Sequence, residues 1–92
     1  MATIKIKRAT GVITLPNFVL LVQYQDGKIR KYDVKPLIKE IKAFRQLKRD
    51  KTLFKKVRIG WNGKALVWND KLDFDATEIY YDGEAVNGLQ SS

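Results

Sequence analysis

The chain has no histidine and no cysteine, and its serines are confined to Ser91 and Ser92 at the end of 92 residues. Neutral histidine, activated cysteine and activated serine are the usual carriers of acid–base and nucleophilic work near neutral pH. Their absence points to binding and away from catalysis, so the expectation is a protein that is not an enzyme. Lack of cysteine also excludes a disulfide framework and a thiolate metal site, and suits a reducing cytoplasm. Long apolar runs are missing too. The longest, Phe18–Val22, is far short of the ~20 residues of a membrane span. The start, Met1-Ala2-Thr3-Ile4-Lys5, lacks the apolar stretch of a signal peptide. The reading is a soluble, cytoplasmic protein of bacterial or phage origin with no membrane partner.

What is present is charge, unevenly spread. Between Lys28 and Arg58 thirteen Lys or Arg face three acids, Asp33, Glu40 and Asp50. Between Asp70 and Glu84 six acids face Lys71 alone, and the whole chain carries a formal +8. With 45% hydrophobic residues the composition is that of a folded domain and not of a disordered segment. A chain of this length buries a little over ~60% of its unfolded surface, enough to fold without staples.

Strand patterns open the chain. Ile4 and Ile6 alternate with Lys5 and Lys7, predicting a half-buried strand, and a second short strand, Val12 to Leu15, stops at Pro16-Asn17. Phe18 to Tyr24 is β-branched and aromatic and predicts the strongest strand. Asp26-Gly27 marks a hairpin returning through Ile29 to Val34. A two-residue loop would set Leu20 against Asp33; a three-residue loop, Gln25 to Gly27 with Gly27 left-handed, sets Leu20 against Tyr32 and Phe18 against Val34, and is the favoured register. Pro36 suits a first helical position, and Leu37, Ile41, Phe44 and Leu47 follow on one stripe. A break near Lys42-Ala43 is compatible with this pattern. Asp50 is an expected cap for one more turn that buries Leu53 and Phe54. Val57–Trp61 and Lys64–Trp68 flank Asn62-Gly63, a type I′ turn signal pairing Ile59 with Leu66 and Val57 with Trp68. Leu72 and Phe74 anchor a short extended piece. Asp75-Ala76-Thr77-Glu78 has capping-box spacing before a last helical turn. The expected fold is α+β: one domain over 1–82, built of antiparallel β-hairpins with one or two short helices packed on the sheet, and a frayed tail over 83–92.

Three groups of residues are candidate sites. On a helical wheel Lys35, Lys39, Lys42, Arg45 and Arg49 share the side opposite the apolar stripe, with Lys48 on the flank and Lys55 and Lys56 beyond. Phosphates demand such clustering, although a charge run also serves simply as a solvated face. Only Glu40 interrupts the stripe, whereas ordinary solvated helices alternate signs. No base-reading motif accompanies it, so binding would be to the phosphate backbone without sequence preference. The acids Asp70, Asp73, Asp75 and Glu78 do not match calcium-loop spacing, and Asp75 reads as a helix cap; no metal and no cofactor is expected. Among the aromatics, Trp68 and Tyr80 lie in apolar sequence and read as core. Trp61 and Tyr81 read as exposed and are candidates for a protein interface.

Taken in order, Leu20–Leu37, Phe44-Arg45-Gln46-Leu47, Leu53–Ile59, Val67–Asp70 and Leu72–Asp75 with Tyr80 resemble the small bacterial family known as domain of unknown function 2442. The likeness covers residues from about 4 to 82. It implies a compact α+β domain of antiparallel strands with short helices between hairpins. Members of the family are often encoded beside another small protein, which implies half of a toxin–antitoxin-like or regulatory pair, with a small protein partner or a homo-oligomer. Some relatives carry an added C-terminal helix-turn-helix, for which this sequence has no counterpart before it ends at Ser92. The resemblance supplies no catalytic residue. Two functions therefore stand as expectations: an interaction module using the exposed aromatics, or a nucleic-acid-associated domain using the basic face.

Overall fold

In the computed structural model of the chain, residues 5–86 are described. Two antiparallel meanders are joined by a run of short helices, an α+β single domain. The first sheet has the order β1-β2-β3-β7, from β1 (Ala9–Leu15), β2 (Val19–Tyr24), β3 (Ile29–Asp33) and β7 (Glu84–Ala85). The second has the order β4-β5-β6, from β4 (Arg58–Gly60), β5 (Ala65–Asn69) and β6 (Leu72–Asp75). Between the sheets run α1 (Lys35–Glu40), a 3-10 turn (Lys42–Arg45), α2 (Gln46–Arg49) and α3 (Lys51–Lys55), and α4 (Ala76–Asp82) follows β6.

The core is shared by both sheets and the helices. Alternate residues of β2, Leu20, Val22 and Tyr24, point inward, while Gln23 is exposed. They meet Val34, Ile38, Phe44, Leu47 and Phe54 from the helical run and Leu66, Trp68, Leu72 and Ile79 from the second half. The first hairpin takes the three-residue loop: Leu20 pairs with Tyr32, Val34 N–H donates to the Phe18 carbonyl at 2.9 Å, and Gly27 sits at φ +88°. Register follows from the turn, because a one-residue slip would turn the Leu20–Tyr24 face outward. In the second hairpin Ile59 pairs with Leu66 as the Asn62-Gly63 signal requires, and both turn residues have positive φ. The Val57–Trp68 pairing does not form. Strand β4 begins only at Arg58, and the β5–β6 ladder shifts register between Val67 and Asn69. Asp50 caps α3, accepting from the N–H groups of Thr52 and Leu53, and Asp75 caps α4, accepting from that of Thr77.

Four further expectations change. The helix after Pro36 breaks one residue before Lys42, where Ile41 is extended (φ −113°, ψ 115°). Ile38 is buried in its place, and Ile41 is 39% exposed. The break resets the helical phase, which brings Phe44 and Leu47 back to the core from a new turn. The expected Ile4–Lys7 strand is absent over its described part. Ile6 is exposed, and the N–H of Lys7 donates to Thr77 Oγ1 at 3.0 Å, a side-chain partner in place of a ladder; Ile4 lies outside the described residues. Phe18 is not in the strand but in the turn before it. Finally, residues 83–86 do not fray. Glu84 and Ala85 pair with Lys31 and Arg30 on the open edge of β3, and Val86 N–H donates to Ile29 at 3.1 Å. A two-residue strand has no period from which to be read. Residues 87–92 of the expected tail lie outside the described ones.

One polar cluster ties the N-terminal segment to the rest. Tyr80 Oη donates to Asp26 Oδ2 at 2.9 Å, Lys7 pairs with the same carboxylate at 3.4 Å, and Lys7 and Arg30 both lie over the Tyr80 ring. The Lys28 N–H, then the Tyr80 hydroxyl and Lys7, hold the Asp26 carboxyl below its ordinary range against the opposing effect of partial burial.

Candidate functional site

Two surfaces of opposite charge stand out. The first is built where the Pro16–Phe18 turn meets the helical run. Asn17 and Phe18 both take left-handed backbone, at φ 66° and 60°. Asparagine tolerates this, whereas a bulky residue pays about 1–2 kcal/mol of steric strain. The surroundings impose it. Val34 N–H bonds the Phe18 carbonyl, Lys35 Nζ donates to the Asn17 carbonyl at 2.7 Å, and the Phe18 ring stands edge-on to Phe54 at 5.3 Å. Phe18 and Ile38 thereby floor a depression of about 390 Å³ whose remaining walls are Lys35, Lys39, Arg45 and Lys48.

All eight cations expected of the basic face are exposed. Lys35, Lys39, Arg45 and Lys48 are gathered at the depression, and Lys42, Arg49, Lys55 and Lys56 lie outside it. This differs from the helical wheel, which set Lys42 and Arg49 beside Lys39 and left Lys48 on the flank. The break at Ile41 ends the wheel's validity. Lys35 is also engaged, since its ammonium bonds the Asn17 carbonyl and pairs with Asp33 at 3.0 Å. Among the described residues the only other ion pair is Lys7–Asp26, so Lys39, Arg45 and Lys48 face solvent without a carboxylate partner.

The second surface carries the exposed aromatics. Trp61 is 70% exposed and sits at φ 54°, followed by Asn62 at 58° and Gly63 at 87°, three left-handed residues in succession. Gly63 is needed there: a Cβ would lie 2.8 Å from the Ala9 carbonyl oxygen, where the hairpin tip abuts the start of β1. Trp61 and Ile6, itself 61% exposed, border a depression of about 410 Å³ lined also by Lys64, Asp73, Phe74 and Asp75. Asp75 and Thr77 line a neighbouring depression too, with Glu78, Asp82 and Tyr81. Trp61 and Tyr81 therefore flank one ridge. Tyr81 is 52% exposed, and its hydroxyl donates to the Lys5 carbonyl at 3.4 Å. Exposed Trp61 and Ile6 lie on one side of Asp75 and Thr77 and exposed Tyr81 on the other, with Asp73, Glu78 and Asp82 beside them.

Residues 9–85 match the family model described as "Protein of unknown function (DUF2442)". The chain belongs to this family. No curated protein and no solved structure matches it. The DUF2442 match spans the whole basic run and both Trp61 and Tyr81, while Ile6 lies before it. It agrees with the resemblance read from the hairpin and helix residues. Reasoning from sequence missed Phe18 and Ile6 as surface residues, and missed that buried Ile38 lines the basic depression. Pro16-Asn17 was the available signal for Phe18, because a breaker pair makes the following residue part of a turn. Nothing local signals Ile6, whose place depends on the bond from its neighbour Lys7 to Thr77, 70 residues further along the chain. Among the described residues no cluster of three His, Cys, Asp or Glu is positioned to hold a metal, and no helix is long and apolar enough to cross a membrane.

Proposed function

We propose that this DUF2442 chain is a non-enzymatic binding module that docks a small protein partner through the Trp61–Tyr81 face, as one half of a regulatory or toxin–antitoxin-like pair. The observation that supports this is Trp61: a large aromatic ring, mostly in solvent, on a backbone held in a strained conformation at the tip of a tight turn. Strain of this kind collects at functional positions, and tryptophan and tyrosine dominate the energetics of protein interfaces. Ile6 beside Trp61, and Tyr81 across Asp75 and Thr77, add exposed apolar surface to this face. Asp73, Asp75, Glu78 and Asp82 around it select a partner that is apolar at its centre and basic at its edge.

The decisive comparison is stoichiometric capture from the native host by the wild-type chain and by Trp61→Ala, with sedimentation of each purified protein alone. The expected result is one small protein partner bound by wild type and lost by at least tenfold in Trp61→Ala, with an unchanged unfolding midpoint, since Trp61 is exposed. A monomer that recovers no stoichiometric protein refutes the proposal, as does a Trp61→Ala variant that binds like wild type.

A second reading has its own observation, the gathering of Lys39, Arg45 and Lys48 without carboxylate partners around one depression. In it the basic face binds nucleic acid through phosphates. Its mark is a steep fall of affinity with salt, a slope of about −0.9 in log K against log[salt] per duplex phosphate neutralised. Lys39, Arg45 and Lys48 changed together to Gln flatten that slope, whereas Lys5→Gln and Lys64→Gln do not. Equal loss from those controls means diffuse attraction to a basic protein.

A further inference from the structure

We infer that the depression floored by Phe18 and Ile38 takes an unstacked base of a single-stranded nucleic acid whose phosphates run along Lys39, Arg45 and Lys48. This rests on the second reading above and adds to it both a base contact and a choice of strand. Two properties of the surface carry it together.

The first is the extent of the charge. Lys42, Arg49, Lys55 and Lys56, outside the depression but in the same stretch of short helices, are all exposed, and none has a carboxylate partner among the described residues. A small organic anion needs one or two cations; this many exposed cations in one stretch of short helices is matched by a polyanion. The second is the floor. A phosphate gains nothing from phenylalanine and isoleucine, but a planar base does, and every base has a face to offer an aromatic ring. Duplexes keep those faces inside the stack, and single strands expose them. The helices of the basic run are too short to read a groove, the longest being α1 with six residues.

Phe18 suits the task because it is fixed before any ligand arrives. The left-handed φ and the Val34 N–H bond to its carbonyl set the backbone at Phe18, and the edge contact with Phe54 seats the ring. A preset platform does not have to be ordered on binding. Lys35 contributes less as a phosphate contact than as the clip that holds the Asn17 carbonyl, and so the turn, against α1.

Fluorescence anisotropy tests this with three labelled probes of equal length: oligo(dT), a mixed-sequence duplex, and an abasic deoxyribose-phosphate strand that keeps the charges and lacks the bases. The wild-type chain should bind oligo(dT) about tenfold more tightly than either of the others. Phe18→Leu should erase the advantage of oligo(dT) over the abasic strand. Lys39, Arg45 and Lys48 changed to Gln should weaken all three probes. The abasic comparison uses the unaltered protein, so it decides the question even if Phe18→Leu fails to fold. Equal binding of oligo(dT) and the abasic strand, or tighter binding of the duplex, overturns the base contact and leaves the phosphate reading standing. No binding to any probe at low salt overturns both.

Discussion

Replacing Phe44 by alanine tests the packing on which both surfaces depend. Phe44 comes from the 3-10 turn after the break at Ile41 and is buried. Its ring stands edge-on to Trp68 at 5.7 Å and to Phe74 at 5.8 Å, which fastens the helical run to β5 and β6. Removing the ring forfeits about 2–3 kcal/mol of transfer free energy. The space left is walled by two rigid aromatic planes that cannot collapse into it, which adds a cavity cost and brings the total to about 4 kcal/mol. A domain of this length has a total stability of about 5–14 kcal/mol, so the variant loses a large part of it. In thermal terms the midpoint falls by about 15–30 °C. The assay is urea denaturation followed by tryptophan fluorescence in a Trp61→Phe background, so that the buried Trp68 beside Phe44 is the sole reporter. Phe44→Leu, which keeps most of the volume, should cost about 1–2 kcal/mol. A loss under about 1 kcal/mol in Phe44→Ala with an unchanged m-value would remove the helical run from the core, and with it the account of how the basic residues are gathered.

Gly63 and Gly27 share a left-handed φ but not their surroundings: a Cβ at Gly27 meets open space, and one at Gly63 meets the Ala9 carbonyl. Gly27→Ala should therefore cost about 1 kcal/mol and Gly63→Ala at least twice that, measured by chemical denaturation; equal losses would mean that the contact between the hairpin tip and β1 is slack. Asp26 and Asp33 are both held below the ordinary carboxylate range; at Asp33 desolvation is the largest single influence and acts upward, but the Lys35 N–H and ammonium together outweigh it. A depressed folded-state value stabilises the fold above the unfolded value of about 3.9 and is lost as pH falls through the lower folded one. Asp26→Asn should accordingly be less stable than wild type near neutrality, with the gap closing as pH drops below about 4; stability curves that stay parallel through that range would refute the assignment.

Much of the fold is written in local chemistry. The hairpin at Gln25–Gly27 has its register because Gly27 alone accepts the bulge conformation, and Asn62-Gly63 sets the second in the same way. Asp50 and Asp75 cap helices because a short carboxylate reaches the N–H groups two or three residues on. The burial of Leu20, Val22 and Tyr24 follows from a period of two. The even exposure of the cations, and of Trp61 and Tyr81, follows from their apolar neighbours claiming the core. Each of these depends on residues a few positions apart along the covalent chain.

Only the tertiary structure decided the rest. The break at Ile41 comes from the need to place both Ile38 and Phe44 against the two sheets, which one straight helix of that sequence could not do. That break exchanged Lys48 for Lys42 and Arg49 beside Lys39. Phe18 is left-handed because Val34, Lys35 and Phe54 hold it there, not because its own preference allows it. Ile6 joins Trp61 through a bond from Lys7 to Thr77, and Glu84-Ala85 becomes a strand because β3 has an open edge to pair with. Such outcomes are set by groups that meet across long stretches of chain, where the backbone goes to whichever partner satisfies its hydrogen bonds and closes the core. Apart from Pro16-Asn17, which marks the turn that holds Phe18, no local period or turn signal encodes those choices.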